Sequence, residues 1–364
     1  MKISVALCTY NGSRFLREQL ESISVQRRLP DELIVSDDCS TDNTLEIVRK
    51  FSAKSQFPIT ILHNEQNLGS TRNFEKAIEN CTGDVIALSD QDDVWLPQKL
   101  ERIEAQFDSH PDVGLVFSDA VLTDDELRPI GLRLWTETFR PADRRKFASG
   151  HALDVLLQYN VVTGATIAFR SALRPAIMPI PQLTEFIHDG WIGLVAALCS
   201  HIRFIREPLI KYRQHSGQQL GAGQWKTQAS GAKRSVFRLP RRVKSLESKW
   251  RISNEERYAP ALREGPKALT RLDEFAEIFS PEKLERIKAA ALDRSLVPDR
   301  DELLVKIEAT RRMIAEHIEH IKVRASLPPA RSRRLSHVLR EQRTGRYSAF
   351  SRGWQSVIID LVRK

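Results

Sequence analysis

Residues 85–95 read Val-Ile-Ala-Leu-Ser-Asp-Gln-Asp-Asp-Val-Trp, an apolar run followed within five residues by Asp90, Asp92 and Asp93. A short apolar run closed by polar residues suits a fully buried strand, here Val85–Leu88. Carboxylates just past such a strand matter because open parallel sheets bind ligands beyond the carboxyl ends of their strands. The flanking sequence argues for such a sheet. Ile3–Cys8 is a first buried strand, broken by Asn11-Gly12-Ser13, and Phe15, Leu16, Leu20 and Ile23 follow at helical spacing. Leu33–Ser36 is a second strand. Behind it, residues 37–44 are rich in N-cap types and lead into a helical pattern of Leu45, Ile47, Val48 and Phe51. Ile59–Leu62 is a third strand, and after Asn67-Leu68-Gly69 the residues Phe74, Ala77 and Ile78 mark another helix. Pro97–Phe107 reads as a helix opened by proline, and Val113–Phe117 as a fifth strand. This alternation predicts right-handed crossovers and a parallel sheet covered on both faces.

Two of the strand ends carry acid: Asp37 and Asp38 after the second, and Asp90, Asp92 and Asp93 after the fourth. Carboxylates converging on one edge repel unless a cation sits among them, and a divalent metal carrying a diphosphate supplies one. The plainer reading is that each Asp caps the helix behind it, and for Asp42 that reading is preferred. For 90–93 the ligand-binding reading is preferred.

Composition narrows the class. At 364 residues, 41% hydrophobic and 28% charged, the chain is long enough for two or three domains and too apolar for wholesale disorder. No apolar run approaches the ~18 residues that a membrane span requires; the longest, Trp191–Cys199, reads as a buried helix. The first ten residues lack the long apolar region and cleavage site of a signal peptide. Cys8, Cys39, Cys81 and Cys199 show no metal or disulfide spacing and are expected to be reduced thiols in a cytoplasmic protein. Charge is uneven: residues 1–225 carry 24 Lys and Arg against 29 Asp and Glu, and residues 226–364 carry 32 against 18. An acidic front and a basic tail suggest different partners.

The segments Val5–Gly12, Val35–Asp38 with Ser40-Thr41-Asp42, Asn67–Gly69 and Ser89–Trp95 together resemble family 2 of the inverting glycosyltransferases. Ser89–Trp95, with Asn160–Thr166 and Tyr212–His215, is most similar to bacterial rhamnosyltransferases. The resemblance runs over about residues 3–220. It implies the α/β GT-A fold, a Rossmann-like, mostly parallel sheet flanked by helices, here with a C-terminal helical extension. Residues 1–225 would form the catalytic domain, about 1–120 its nucleotide-sugar half and 121–225 its acceptor half. Residues 226–364 would form a basic, mainly helical region. Cys39 departs from the family, which often has Gly or a small polar residue there; a Cys is small enough to keep the turn.

The resemblance also implies roles. Thr9, Tyr10, Asn11, Asp38, Arg72, Ser89 and Asp90 fall on the nucleotide-sugar side, with Tyr10 beside the base and Asp38 accepting from a pyrimidine ring nitrogen. For Arg72, phosphate contact and a plain surface position are both open. Asp92 would ligate a divalent metal, Mg2+ or Mn2+, with His215, and Asp93 would orient its neighbours. By position alone Asp189, in His188-Asp189-Gly190-Trp191, reads as a cap or a base; the resemblance implies the general base, with Gly164 and Trp191 on the acceptor side. The implied reaction is a single inverting displacement of the diphosphate, general-base help contributing ~10²–10⁴-fold. Rhamnose from dTDP-rhamnose is the expected donor sugar, and a bacterial cell-surface glycan or its lipid-linked precursor the expected acceptor. The alternatives are another nucleotide sugar, such as a UDP-hexose or UDP-galactofuranose, or a nucleotide-sugar-binding protein without transfer activity. A nucleotidyltransferase would want a Gly-rich basic loop that residues 10–14 lack.

In the tail, Lys233–Lys249 reads as a linker, and Pro281–Ala290 and Arg300–Arg324 as helices. Packing on the catalytic domain, forming a homo-oligomer and binding an anionic surface all remain open for it. Nucleic acid is not expected, since no recognised motif is present and stacking aromatics are sparse. In Tyr347–Lys364, Phe350, Trp354, Val357, Ile358 and Leu361 would share one helical face beside Arg346, Arg352, Arg363 and Lys364. That composition suits peripheral attachment at the inner face of the cytoplasmic membrane, or docking on the protein itself.

Overall fold

The structure, a computed structural model, describes residues 1–183, 187–216, 218, 254–327 and 331–346. Packing divides the chain into two units, Met1–Ala222 with Glu274–Leu304, and Gly223–Asp273 with Val305–Lys364. The expected linker Lys233–Lys249 and the amphipathic stretch Tyr347–Lys364 lie outside the described residues.

The first unit alternates as the pattern predicts: β1 Ile3–Thr9, α1 Leu16–Ser24, β2 Glu32–Asp37, α2 Thr44–Ser52, β3 Ile59–His63, α3 Ser70–Glu79 and β4 Val85–Ser89. β5 Val94–Trp95, α4 Lys99–Ser109, β6 Val113–Thr123 and β7 Pro129–Arg133 follow. Short helices α5 Leu134–Thr138, α6 Pro141–Ala148 and α7 Ala152–Leu156 lead to a 3₁₀ turn Gly164–Thr166, β8 Ile167–Arg170 and α8 Arg174–Ile177. The unit continues with α9 His188–Cys199 and β9 His201–Arg213.

The described residues form one nine-stranded sheet in the order β3-β2-β1-β4-β8-β6-β9-β5, with β7 paired to β6. β1 to β4 are parallel, and β1 and β4 are buried along their length, as continuous apolar runs require. The fifth expected strand, now β6, does not adjoin this parallel block. β8 lies between β4 and β6, antiparallel to both, so the sheet is mixed at that point. β6 regains parallel pairing with β9, whose Pro208 sits opposite Asp119 where the register slips. A bulge is where a strand tolerates a residue without an N–H. α1 buries Leu16, Leu20 and Ile23, and α3 buries Phe74, Ala77 and Ile78, each of the larger side chains worth about 1.5–3 kcal/mol when fully covered. In register, Thr9 pairs with Asp37 and Leu7 with Ser89, so the carboxyl ends of β1, β2 and β4 form one edge.

The remaining helices are α10 Asn254–Ile278, α11 Pro281–Ala290, α12 Arg300–Ala325 and α13 Arg331–Arg343. Within the second unit the Ile318 side chain lies over Gly265, where an added Cβ would come within 2.5 Å of it. His320 Nδ1 is 3.2 Å from Glu341 Oε2, and Arg346 donates to Glu341 Oε1. No helix among the described residues is long and apolar enough to cross a membrane.

Candidate active site

The edge holds two clusters of different character. In the first, the β1–α1 loop is tied to the loop after β2. Asn11, at φ 46°, accepts from Thr41 N–H through Oδ1 and donates its own N–H to Ser40 Oγ. Asp37 accepts from Thr9 Oγ1 (2.8 Å), from Ser40 N–H and Oγ, and faces His63 Nδ1 at 3.2 Å. Asp38, 2% exposed, accepts from Leu68 N–H (2.7 Å), Gly69 N–H (2.9 Å) and Asn64 Nδ2 (2.9 Å). Its carboxylate therefore pins the Asn67–Gly69 loop to β2. With three bonds taken of about four acceptor sites, Oδ2 retains the capacity for one more. Cys39 has φ 64°, the left-handed region that Gly occupies at no steric cost, so the cysteine bears strain that its small size does not remove. Asp42 accepts from Thr44 N–H at the start of α2, close to the expected cap.

Tyr10 is 49% exposed, while its backbone makes a two-point pairing with the Gln91 amide at 2.8 and 3.0 Å. Gly12 permits this: a Cβ there would lie 2.1 Å from Gln91 Oε1. Arg72 pairs with Glu75 one turn along α3. Ser89 is buried, its Oγ against the Gln19 side-chain amide.

The second cluster is acidic and incompletely neutralised. Burial, then the charges of Asp92 and Asp189, push the Asp90 carboxyl up to about 7. Asp93 is fully buried; Oδ1 accepts from Arg213 N–H, Oδ2 has no partner, and burial with Asp92 and Asp90 raises it well above the ordinary range. Asp92 Oδ2 lies 2.8 Å from His215 Nε2, bringing together the two residues expected to ligate a metal. Arg213 holds this corner: Nε donates to Asp92 O (2.7 Å), the remaining nitrogens reach Asp125 O and Glu18 Oε2, and the guanidinium covers the Phe15 ring at 4.4 Å.

Asp189 lies in the first turn of α9, whose N-cap is Ile187, so it is not the cap. Its Oδ2 accepts from Gly164 N–H (3.0 Å) and its Oδ1 from Asn160 Nδ2 (3.1 Å) and Gly190 N–H. Burial nevertheless raises it to about 6, against about 3.9 for a free Asp. Gly164 thus adjoins Asp189. His188 stacks on Phe74 at 4.0 Å.

Trp191 corrects the sequence reading. It is fully buried, its indole N–H donates to Ile177 O, and its ring stacks on Phe279, leaving no surface for an acceptor. Two residues to which the sequence reading gave no role, Lys99 and Tyr212, join the acidic cluster. Lys99, fully buried, donates from Nζ to Ala165 O at 2.7 Å and sits 3.7 Å over the Trp95 ring. Tyr212 is buried in the field of all four carboxylates, which with burial drives its phenol up. Lys99 was visible as one member of the stripe Lys99, Ile103, Phe107 on α4; no spacing announces Tyr212.

Among the described residues no three side chains form a ready metal cage. Asp92 and His215 nevertheless fit a divalent cation. They offer oxygen and nitrogen donors beside the raised carboxyls of Asp90 and Asp93, the latter buried with an unpartnered oxygen.

The Glycosyl transferase family 2 model matches residues 4–166. The dTDP-rhamnosyl transferase RfbG of Shigella flexneri is 37% identical over 240 residues, covering 59% of this chain and 74% of that protein. An uncharacterised protein of Mycobacterium bovis is 27% identical over 217 residues, and the match spans 59% of each chain. The solved structure of Staphylococcus aureus TarS 1–349 in complex with UDP aligns with a TM-score of 0.47 and 17% identity, over 98% of this chain and 90% of that one. The chain belongs to glycosyltransferase family 2.

Proposed function

We propose that the chain transfers a sugar from a nucleoside-diphosphate sugar to a hydroxyl group with inversion at the anomeric carbon. The observation that carries this is Asp189, a buried carboxyl raised to about 6 and close enough to Asp90 to act on its charge. A base near neutrality beside an acidic donor edge is what a poor hydroxyl nucleophile needs.

Asp189 takes the acceptor proton; Gly164 N–H and Asn160 hold its carboxylate in place. Tyr10, Asn11, Asp38 and Asp90 are assigned to the nucleotide side, with Thr9 and Ser89 buried behind them, and the exposed Tyr10 is available to the base. Asp92 and His215 would hold Mg2+ or Mn2+, which supplies charge neutralisation on the diphosphate leaving group. Asp93 and Arg213 keep the Asp92 backbone in position.

Rhamnose from dTDP-rhamnose is the donor we favour, supported by the relative named a dTDP-rhamnosyl transferase. The acceptor class we favour is a bacterial cell-surface glycan or its lipid-linked precursor. The test is nucleoside diphosphate release from dTDP-rhamnose, UDP-hexoses and UDP-galactofuranose, each with Mg2+ or Mn2+. Release from dTDP-rhamnose above the others is expected; none from any donor would leave a binding protein. For residues 347–364 we propose reversible attachment to anionic membranes, each basic residue near the surface contributing about 1 kcal/mol. Anionic liposomes should float the full chain and not one ending at Thr344. Equal flotation of both, or none of the full chain at low salt, would refute it.

A further inference from the structure

Lys99 projects from α4 into the interior, fully buried between the acidic edge and the 3₁₀ turn Gly164–Thr166. Its Nζ donates to Ala165 O at 2.7 Å. The peptide unit that carries this carbonyl also carries Thr166 N–H, which donates to Thr163 O at 2.9 Å. The peptide unit of Thr163 O in turn carries Gly164 N–H, which donates to Asp189 Oδ2 at 3.0 Å. Three hydrogen bonds through two rigid, planar amides therefore join the ammonium of Lys99 to the Asp189 carboxylate. In such a chain each bond polarises the next, so a cation at one end strengthens the N–H at the other. At its own end burial lowers Lys99 to about 7 against the pull of Asp93 and Asp90, and its Nζ sits over the Trp95 ring, so it also belongs to the donor edge.

We infer that Lys99 is a positioning residue that links the donor edge to the base, orienting Asp189 through the Ala165 and Thr163 peptide units. This rests on the proposed role of Asp189. Lys99 touches no substrate; it holds the turn whose Gly164 amide fixes the Asp189 carboxylate. A buried lysine that served only as a counter-ion to Asp93 and Asp90 would affect donor binding and leave Asp189 unchanged.

Two readouts separate these cases. In protein labelled with ¹⁵N-glycine, the Gly164 amide resonance, assigned by its loss in Gly164→Ala, should shift in both Lys99→Met and Asp189→Asn. Lys99→Arg, which keeps a charged donor, should leave it near its wild-type position. In the second, nucleoside diphosphate release from dTDP-rhamnose with Mn2+ is followed for Lys99→Met, Asp189→Asn and the double variant. Lys99→Met should lower kcat by roughly 10–100-fold with donor KM within about threefold, and the double variant should be no slower than Asp189→Asn alone. An unmoved Gly164 resonance in a folded Lys99→Met, a change in donor KM without one in kcat, or independent losses in the double variant would overturn the inference. If Lys99→Met does not fold, Lys99→Arg decides: a shifted Gly164 resonance, or a large fall in kcat, in this folded variant overturns it. Full turnover in Asp189→Asn would instead defeat the base assignment, while the Gly164 resonance still reports whether the bonded chain exists.

Discussion

Asp37 and Asp38 end one strand of the sheet, and Asp90, Asp92 and Asp93 follow another on the same edge, yet the two groups live in opposite conditions. Asp37 and Asp38 are buried and largely satisfied, receiving bonds from Thr9, Ser40, Asn64, Leu68 and Gly69, with one acceptor site of Asp38 left over. Asp93 is also buried and Asp90 partly so, but like charges surround them, and one oxygen of Asp93 has no partner. A carboxylate whose acceptor sites are filled by its own chain builds a loop. One left short of partners has capacity for a cation or substrate, and keeping it so costs stability. The same residue type at equivalent places in the topology is thus mostly satisfied on one side and short of partners on the other.

The comparison is most sharply broken by removing charge from the unsaturated side. Asp92→Asn should abolish metal-dependent transfer while retaining the wild-type melting temperature; wild-type turnover, or full native activity in excess chelator, would contradict it. Asp189→Asn should lower turnover by roughly 10²–10⁴-fold with nucleoside diphosphate affinity, measured by calorimetry, unchanged. On the saturated side, Asp37→Ala should act on the fold, lowering the urea-unfolding free energy by about 3 kcal/mol because several buried donors lose their acceptor. An unchanged unfolding midpoint would remove Asp37 from the scaffold.

The pH profile separates the two groups further. A base works only when ionised, and burial holds Asp189 near 6. At saturating metal, kcat/KM should therefore fall about tenfold for each unit below pH 6 and stay level from 7 to 8. A limb near pH 4, where an unperturbed Asp titrates, would show that Asp189 is not the titrating base. The smallest effect is expected at Cys39, whose φ of 64° suits glycine. Cys39→Gly should raise the unfolding free energy by about 0.5–1 kcal/mol, and a loss of that size would mean the thiol packs usefully.

The parallel half of the sheet was legible because strands buried on both faces must be continuous apolar runs, as Ile3–Thr9 and Val85–Ser89 are. β9 was not: Arg203, Arg206, Glu207 and Lys211 interrupt its apolar residues, and Pro208 argues against a strand unless a bulge receives it. The placing of Asp92 with His215, and of Gly164 with Asp189, followed from a motif whose partners lie more than a hundred residues apart in one case and 25 in the other. Trp191 was misread because a motif position says nothing about which way an indole points; its N–H belongs to Ile177 O. Lys99 was hidden by its type, since lysine is almost never fully buried without partners. Its partners, Ala165 O and the Trp95 ring, meet it only once the sheet has closed.

The central claim is that Asp189 is the base of a nucleotide-sugar transferase. Its most direct test is nucleoside diphosphate release by wild type and Asp189→Asn side by side, across the donor panel, with nucleotide binding measured on the same samples. The account predicts release by the wild type, its loss in the variant and equal nucleotide affinity in both. Equal release by the two proteins would contradict it.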